Sequence, residues 1–322
     1  MSPWSPSSSS SRCYRAFGLR LQSTLPLPEL HLVDEAGDDG HEATSGAINV
    51  VVRMAAAPPP DAPEILPDVR CDADHFWMDV PRVGRFLVRH GREMVVEPCP
   101  DVPDGDVRAY LLGSAMGALL HQRGLLPLHA SAVEVNGRAI VFIAPAGSGK
   151  STMAMHLQHR GHRVICDDIC AVAIEGGGGG GGGSARLWPG LRNLKLWRAS
   201  LGAIARTPDG LEPVLVDMDK YRVPVDAPAD DRAVDLAAVV LLDWGEDFAI
   251  SPLPGAEAVG ALVANTFRGQ LVVPMGRQAA HWRQCLDLFG AAGVYRIVRP
   301  RALDQLDRAS ILIERLSLTT TR

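Results

Sequence analysis

Apolar positions in this chain change their spacing along its length, and each change predicts a different architecture. Over residues 13–105 they fall in short runs broken by Gly, Pro and Asp. Examples are residues 47–52 and 85–89, the latter closed by a turn at His90-Gly91. Residues 55–63, with Pro58-Pro59-Pro60, read as a loop. The pattern predicts a small β-rich module. Residues 106–123 then carry helical spacing through Val107, Leu111, Leu112, Ala115, Leu119 and Leu120. Asp104 or Asp106 is the expected N-cap and Gly124 the stop. Two apolar runs, 130–135 and 138–143, flank Asn136-Gly137, a strong short-range signal for a β-hairpin.

Strands and helices alternate from residue 106 to residue 322. Helices are predicted at 152–160, 256–267, 278–289 and 303–316, and strands at 163–166, 238–242 and 294–298. Shorter runs stand at 194–197 and 221–225. This alternation predicts an α/β domain following the β-rich module. The eight glycines Gly176 to Gly183 are too flexible to repay their ordering entropy and read as a surface loop. Residues 1–12, rich in Ser and Pro, are expected to be disordered, and they lack the apolar stretch of a secretory signal.

Composition narrows the partners. A net charge of −5 argues against a general nucleic-acid binder. The longest apolar helical stretch, 109–120, contains Gly113, Ser114 and Gly117 and is too short to span a bilayer. The six cysteines form no C-x-x-C pair and read as buried reduced thiols. The expected location is the cytoplasm, with no membrane partner.

The densest chemical signal follows the second hairpin strand. Ala144-Pro145-Ala146-Gly147-Ser148-Gly149-Lys150-Ser151 lies between an apolar strand and a helix, as a phosphate-binding P-loop does, with alanine in place of the motif's first glycine. Backbone N–H groups from Ala146, Gly147, Ser148, Gly149, Lys150, Ser151 and Thr152 would cradle the phosphates of ATP. Lys150 would neutralise the terminal phosphates, and the Ser151 hydroxyl would ligate Mg2+. Asp167-Asp168 ends the next strand, on the edge where open α/β sheets bind ligands. One carboxylate would hold the metal, and the other would accept the proton of an incoming hydroxyl. His129 enters the strand that pairs with the one feeding the loop, so it is a candidate for the same site. His156 and His159 fall on the helix after the loop, and His162 on a turn.

Together these residues resemble the catalytic domain of the HPr serine kinase/phosphorylase family. The likeness rests on His129, the Gly147–Ser151 loop, Arg160-Gly161-His162-Arg163 and Asp167-Asp168, in that order. Weaker matches resemble a divergent branch, some members of which accompany lasso-peptide biosynthesis and modify the precursor. These are Phe17-Gly18-Leu19, Leu111-Leu112-Gly113, Leu128 to Val133, Leu194-Lys195-Leu196-Trp197 and Lys220-Tyr221. The resemblance implies a P-loop kinase domain that phosphorylates a serine of a protein or peptide from Mg-ATP. The acceptor would be an HPr-like protein or a ribosomal precursor peptide. Asp168 would be the base, Asp167 a magnesium partner with Ser151, and His129 a support, with the roles of the two aspartates exchangeable. It also implies a homo-oligomer. The family's acidic residue after the double aspartate has no counterpart around residues 191–197. Lys195, Lys220 and Arg222 would either supply positive charge to the transferring phosphoryl group or, on the plainer reading, lie as solvated surface. A non-catalytic ATP-sensing module and a small-molecule kinase fit the same residues.

Overall fold

The computed structural model describes residues 11–33, 48–175, 183–202, 206–225, 231–301 and 305–319, so most of the glycine run and the first ten residues lie outside them. Nine strands come first: β1 (Arg12–Ala16), β2 (Leu19–Ser23), β3 (His31–Val33), β4 (Val50–Met54), β5 (Glu64–Leu66), β6 (Val69–Cys71), β7 (His75–Val80), β8 (Gly84–Arg89) and β9 (Glu93–Pro98). They form one sheet in the order β3-β1-β2-β4-β9-β8-β7-β6-β5. Arg12, counted with the disordered start in the sequence reading, instead opens β1 and pairs with Ser23.

One long helical segment crosses to the second half. It consists of α1 (Asp104–Tyr110), a π-helical turn over Leu111–Ala115, and α2 (Met116–Gln122). Its N-cap is Pro103 rather than Asp104 or Asp106. Both aspartates lie in the first turn, where they complement the helix dipole, and Asp106 Oδ1 accepts the Val216 N–H at 3.0 Å. The apolar face of this segment packs on the first sheet, with Val107, Leu111, Met116 and Leu119 in one buried cluster with Phe86, Val88 and Val96. Gly117 is needed for a close approach, since a Cβ there would lie 2.7 Å from the Phe267 ring.

The second half contains β10 (Leu126–Leu128), β11 (Ala130–Val135), β12 (Arg138–Ile143), α3 (Lys150–His159), β13 (Arg163–Cys166), β14 (Cys170–Glu175), β15 (Ser184–Leu187), β16 (Asn193–Trp197), α4 (Arg198–Gly202), β17 (Glu212–Pro213), β18 (Lys220–Pro224) and β19 (Val234–Trp244). After these come β20 (Ala249–Pro252), α5 (Gly255–Ala264), α6 (Gln278–Ala291), β21 (Gly293–Arg299) and α7 (Leu306–Thr319). The main sheet runs β10-β14-β15-β19-β12-β11-β13, with β21 also on β19 and β20 on β21. Strands β16, β18 and β17 form a separate small sheet. The protein is thus a mixed α/β structure.

The continuous apolar run of β12 reflects burial on both faces. Ala139, Val141 and Ile143 join the cluster that includes residues of α5 and α6, whereas Ile140, Phe142 and Ala144 join the cluster with α3 and α7. Asn136 and Gly137 both take positive φ (51° and 77°), the geometry of a type I′ hairpin turn. Because β11 is antiparallel to both β12 and β13, the ends of β12 and β13 and the start of β11 come out on one edge. That edge carries the candidate site.

One segment departs from its sequence pattern for a tertiary reason. The helix expected over 256–267 stops at Ala264, because the chain turns there to pair with the β10–β11 junction. Asn265 O accepts the His129 N–H at 2.7 Å, and the Phe267 N–H donates to Pro127 O at 2.8 Å. An ionic cluster, buried except for Glu212, ties the halves together. Arg108 meets Glu29 and Glu212, each at 2.8 Å, and Arg222 lies 3.3 Å from Glu212 and 3.6 Å from Glu29. Arg222, read from sequence as solvated, is therefore a buried structural cation.

His121 reports on this packing. Its Nε2–H donates to Phe267 O at 2.8 Å, and burial lowers its pKa to about 4. Unfolded histidine titrates near 6.5, so below that pH the unfolded chain binds a proton that the folded chain excludes. Stability should fall by roughly 2 kcal/mol between pH 7 and pH 5 from this group, the loss saturating near pH 4. Urea unfolding at both pH values should show a smaller loss in His121→Gln; an unchanged slope would refute the assignment.

Candidate active site

The turn from β12 into α3 is shaped by two glycines with left-handed backbone, Gly147 (φ 79°) and Gly149 (φ 84°). Gly149 is also closed by packing, since a Cβ would come within 2.8 Å of Arg299 Nη2, whereas a Cβ on Gly147 would meet nothing within 4 Å. The first N–H groups of α3 have no intrahelical acceptor and are free to meet an anion. A cavity of about 170 Å³ lies against this turn, lined by Ala146, Gly147, Gly149, Lys150, Ser151 and Thr152. Ser148, also on the turn, gives its carbonyl to Arg299 at 2.8 Å. Arg299 is buried, stacks 4.0 Å over Trp244, and is pulled down to a pKa of about 10 by burial. Lys150 Nζ donates to Ala144 O at 2.8 Å, and burial lowers its pKa although both aspartates oppose the shift.

Asp167 is 1% exposed. Its Oδ1 accepts hydroxyl hydrogens from Ser131 at 2.5 Å and Ser151 at 2.8 Å, and its Oδ2 accepts the Lys195 backbone N–H at 2.7 Å. Strands β11, β13 and β16 and helix α3 therefore meet on one carboxylate. The Ser151 hydroxyl beside it makes a pair of hard oxygen donors of the kind Mg2+ takes, its other positions being filled by water and phosphate. Among the described residues, no group of three or more His, Cys, Asp or Glu side chains stands ready to hold a metal without such help.

Asp168 has positive φ (69°) and a different set of partners. Its Oδ2 lies 2.6 Å from Lys195 Nζ. Burial acts against the charged form, yet Lys195, with His129 and Lys220 behind it, holds the carboxyl well below the usual range. His129 Nδ1 lies 3.1 Å from Asp168 O, so its N–H donates there. Burial first and Lys150 second lower the His129 pKa, which keeps the ring neutral at pH 7. Lys195 is buried against Asp168, so its reading as solvated surface is corrected. Lys220 lines the same cavity, 5.7 Å over the Trp197 ring.

The fold brings His129, Lys150, Ser151, Asp167 and Asp168 to one cavity. Arg160-Gly161-His162-Arg163 lies elsewhere. Arg160 and His162 bond Glu314 at 2.8 and 3.0 Å, Arg163 lies 2.7 Å from Glu134, and His156 lies 3.2 Å from Asp307. These contacts fasten α3 and β13 to α7 and β11. Ser131 lies two residues from His129, within the Leu128 to Val133 match, but nothing local gives its hydroxyl a role, and Arg299 has no motif near it; strand pairing alone places both beside this site.

A family model described as SynChlorMet cassette protein ScmC matches residues 111–199, the stretch from the π-helical turn to the start of α4. Among solved structures, the HPr(Ser) kinase/phosphatase from Coxiella burnetii is similar at 13% identity and a TM-score of 0.29. That similarity covers 59% of this chain and 92% of that one, and is too low to carry an argument. No curated protein matches the chain.

The Lys195–Asp168 pair is testable without any ligand. Lys195→Met leaves the Asp168 carboxylate without its partner and should cost about 3 kcal/mol in urea unfolding. Adding Asp168→Asn should recover most of that loss, giving a clear coupling in the double-mutant cycle. Additive losses would show that the two side chains do not interact.

Proposed function

We propose that this protein is a phosphotransferase that moves the γ-phosphoryl group of Mg-ATP to a serine hydroxyl of a protein or peptide. The observation that carries this reading is the contact between Asp167 and Ser151 beside the phosphate-loop lysine, with a second, ionised aspartate at the mouth of the same cavity. Phosphoryl transfer needs positioning and charge stabilisation more than covalent chemistry, and this arrangement supplies both.

The α3 N-terminus and Lys150 would receive the phosphates, and Ser151 with Asp167 would hold magnesium. A magnesium ion held there would supply positive charge to offset that of the phosphates. Lys150 is held by loop carbonyls and would exchange them for phosphate oxygens. Asp168 would accept the hydroxyl proton as the serine oxygen bonds to phosphorus and the bond to the ADP oxygen breaks. Lys195 keeps that carboxylate ionised, and His129, bonded to the Asp168 carbonyl, helps to orient the residue. Its depressed pKa leaves it able to accept a hydrogen bond throughout the neutral pH range. The cytoplasm suits such an enzyme.

Transfer of labelled phosphate from ATP to a panel of serine peptides tests this. Asp168→Asn should lower turnover by about 10²–10⁴-fold while Mg-ATP still binds. Ser151→Ala should instead raise the magnesium concentration needed for nucleotide binding. Wild-type turnover in Asp168→Asn would remove the assigned base, and tight Mg-ATP binding without transfer to any peptide would favour a sensing role.

A further inference from the structure

A larger cavity, about 600 Å³, adjoins the phosphate-side one and shares His129, Ala146, Asp168 and Lys195 with it. A molecule in the larger cavity therefore meets the phosphate side at Asp168. Besides Ala144, Pro145, Val214 and Leu215, two segments that the phosphate chemistry does not use form facing walls: the junction of α1 with the π-helical turn, and residues 264–270 after α5.

Both walls are built to leave space. Gly113 sits in the π-helical turn and is buried, yet a Cβ there would meet no atom within 4 Å. Pi-helical turns inside α-helices concentrate at functional sites. On the opposite wall Arg268 takes a left-handed backbone (φ 52°), a conformation disfavoured for any residue but glycine. The preceding residue, Phe267, is pinned by Pro127 O and by His121. Arg268 is exposed, and its Nη2 donates to Ser114 Oγ at 2.6 Å. No carboxylate among the described residues pairs with it. The Lys195 and Asp168 charges cancel across their ion pair, so the Arg268 charge stands uncompensated in this cleft. Apolar surface from Ala109, Val214, Leu215, Ala264 and Phe267 lies between the charged groups.

We propose that this cleft is the acceptor site and that it takes an acidic peptide segment, with the serine hydroxyl at Asp168 and a neighbouring carboxylate on Arg268. The volume falls in the range that encloses a compact ligand, about 300–1,000 Å³, and is far too small for a folded domain, so only an extended or looped segment of the acceptor enters. The assignment of this segment as acceptor rests on the phosphotransferase reading; the binding of acidic peptide does not.

The test uses fluorescein-labelled serine peptides with glutamate, alanine or lysine flanks, titrated by fluorescence anisotropy into the full chain with Mg2+ and a non-hydrolysable ATP analogue. Phosphate transfer to the same peptides is measured in parallel with ATP. The glutamate peptide should bind at least about tenfold more tightly than the lysine peptide, as a carboxylate placed on an unpaired guanidinium requires. Arg268→Glu should reverse that order, and Arg268→Lys should retain it in weakened form. Gly113→Leu, whose Cβ enters open space, should abolish binding of every peptide; its thermal melt checks that it folds. If acidic peptides bind in this way but no phosphate is transferred, the cleft stands and the phosphotransferase reading falls. If glutamate gives no preference, or if neither Arg268→Glu nor Gly113→Leu weakens binding, the cleft assignment is overturned even where transfer occurs.

Discussion

The buried carboxylate of Asp167 is the point on which the site depends. It receives two hydroxyls and one backbone N–H from three different elements, and each donor comes from far along the chain. A buried carboxylate with no such partners would be costly, so the three elements are held where its oxygens are satisfied. In holding them it places Ser151 at the mouth of the loop, brings the β16 strand alongside, and orients the adjoining residue Asp168 toward Lys195. One constraint therefore fixes both the Ser151 side and the Asp168–Lys195 side of the cavity.

Around that point the support is apolar and layered. Strand β12 is buried on both faces, which makes the base of the glycine turn into α3 rigid, and Arg299 from β21 packs against that turn and bonds one of its carbonyls. The wall opposite depends on the first half of the chain. The helical segment over residues 104–122 packs on the first sheet, and its Arg108 joins Glu29 to Glu212. Because Glu212 and Arg222 belong to the small sheet that carries Lys195 and Lys220, the same ionic cluster connects the β-rich half to the cavity lining. Such a cluster is worth little as net stability, but removing one member would leave buried charge unpaired.

Much of the architecture was legible because local rules and tertiary packing agreed. The Asn136-Gly137 hairpin, the Gly-x-Gly-Lys-Ser turn between a strand and a helix, and the strand ending in two aspartates all form where their residue patterns predict. The failures have a common cause. The helix after residue 255 ended early because hydrogen bonds to a distant strand outweighed its propensity, and Arg222 and Lys195 looked like surface cations because a lysine or arginine in an alternating strand carries no local sign of a buried acidic partner.

The sequence by itself determined the elements and the chemistry at the loop, since both depend on residues within a few positions of one another: apolar period, glycines with positive φ, a lysine and hydroxyl at the start of a helix. Tertiary structure alone decided which distant groups share the cavity. Lys195 lines it, Ser131 and Arg299 support the carboxylate and turn behind it, and Arg268 lines the adjoining cleft. Each is placed only by strand order, strand pairing and a turn held by a contact more than a hundred residues away. It also separated the two adjacent aspartates into different environments, one saturated by hydrogen bonds and one held ionised by an ammonium group. That difference comes from which elements pack on either side of the strand end, and two neighbouring letters in a chain cannot express it.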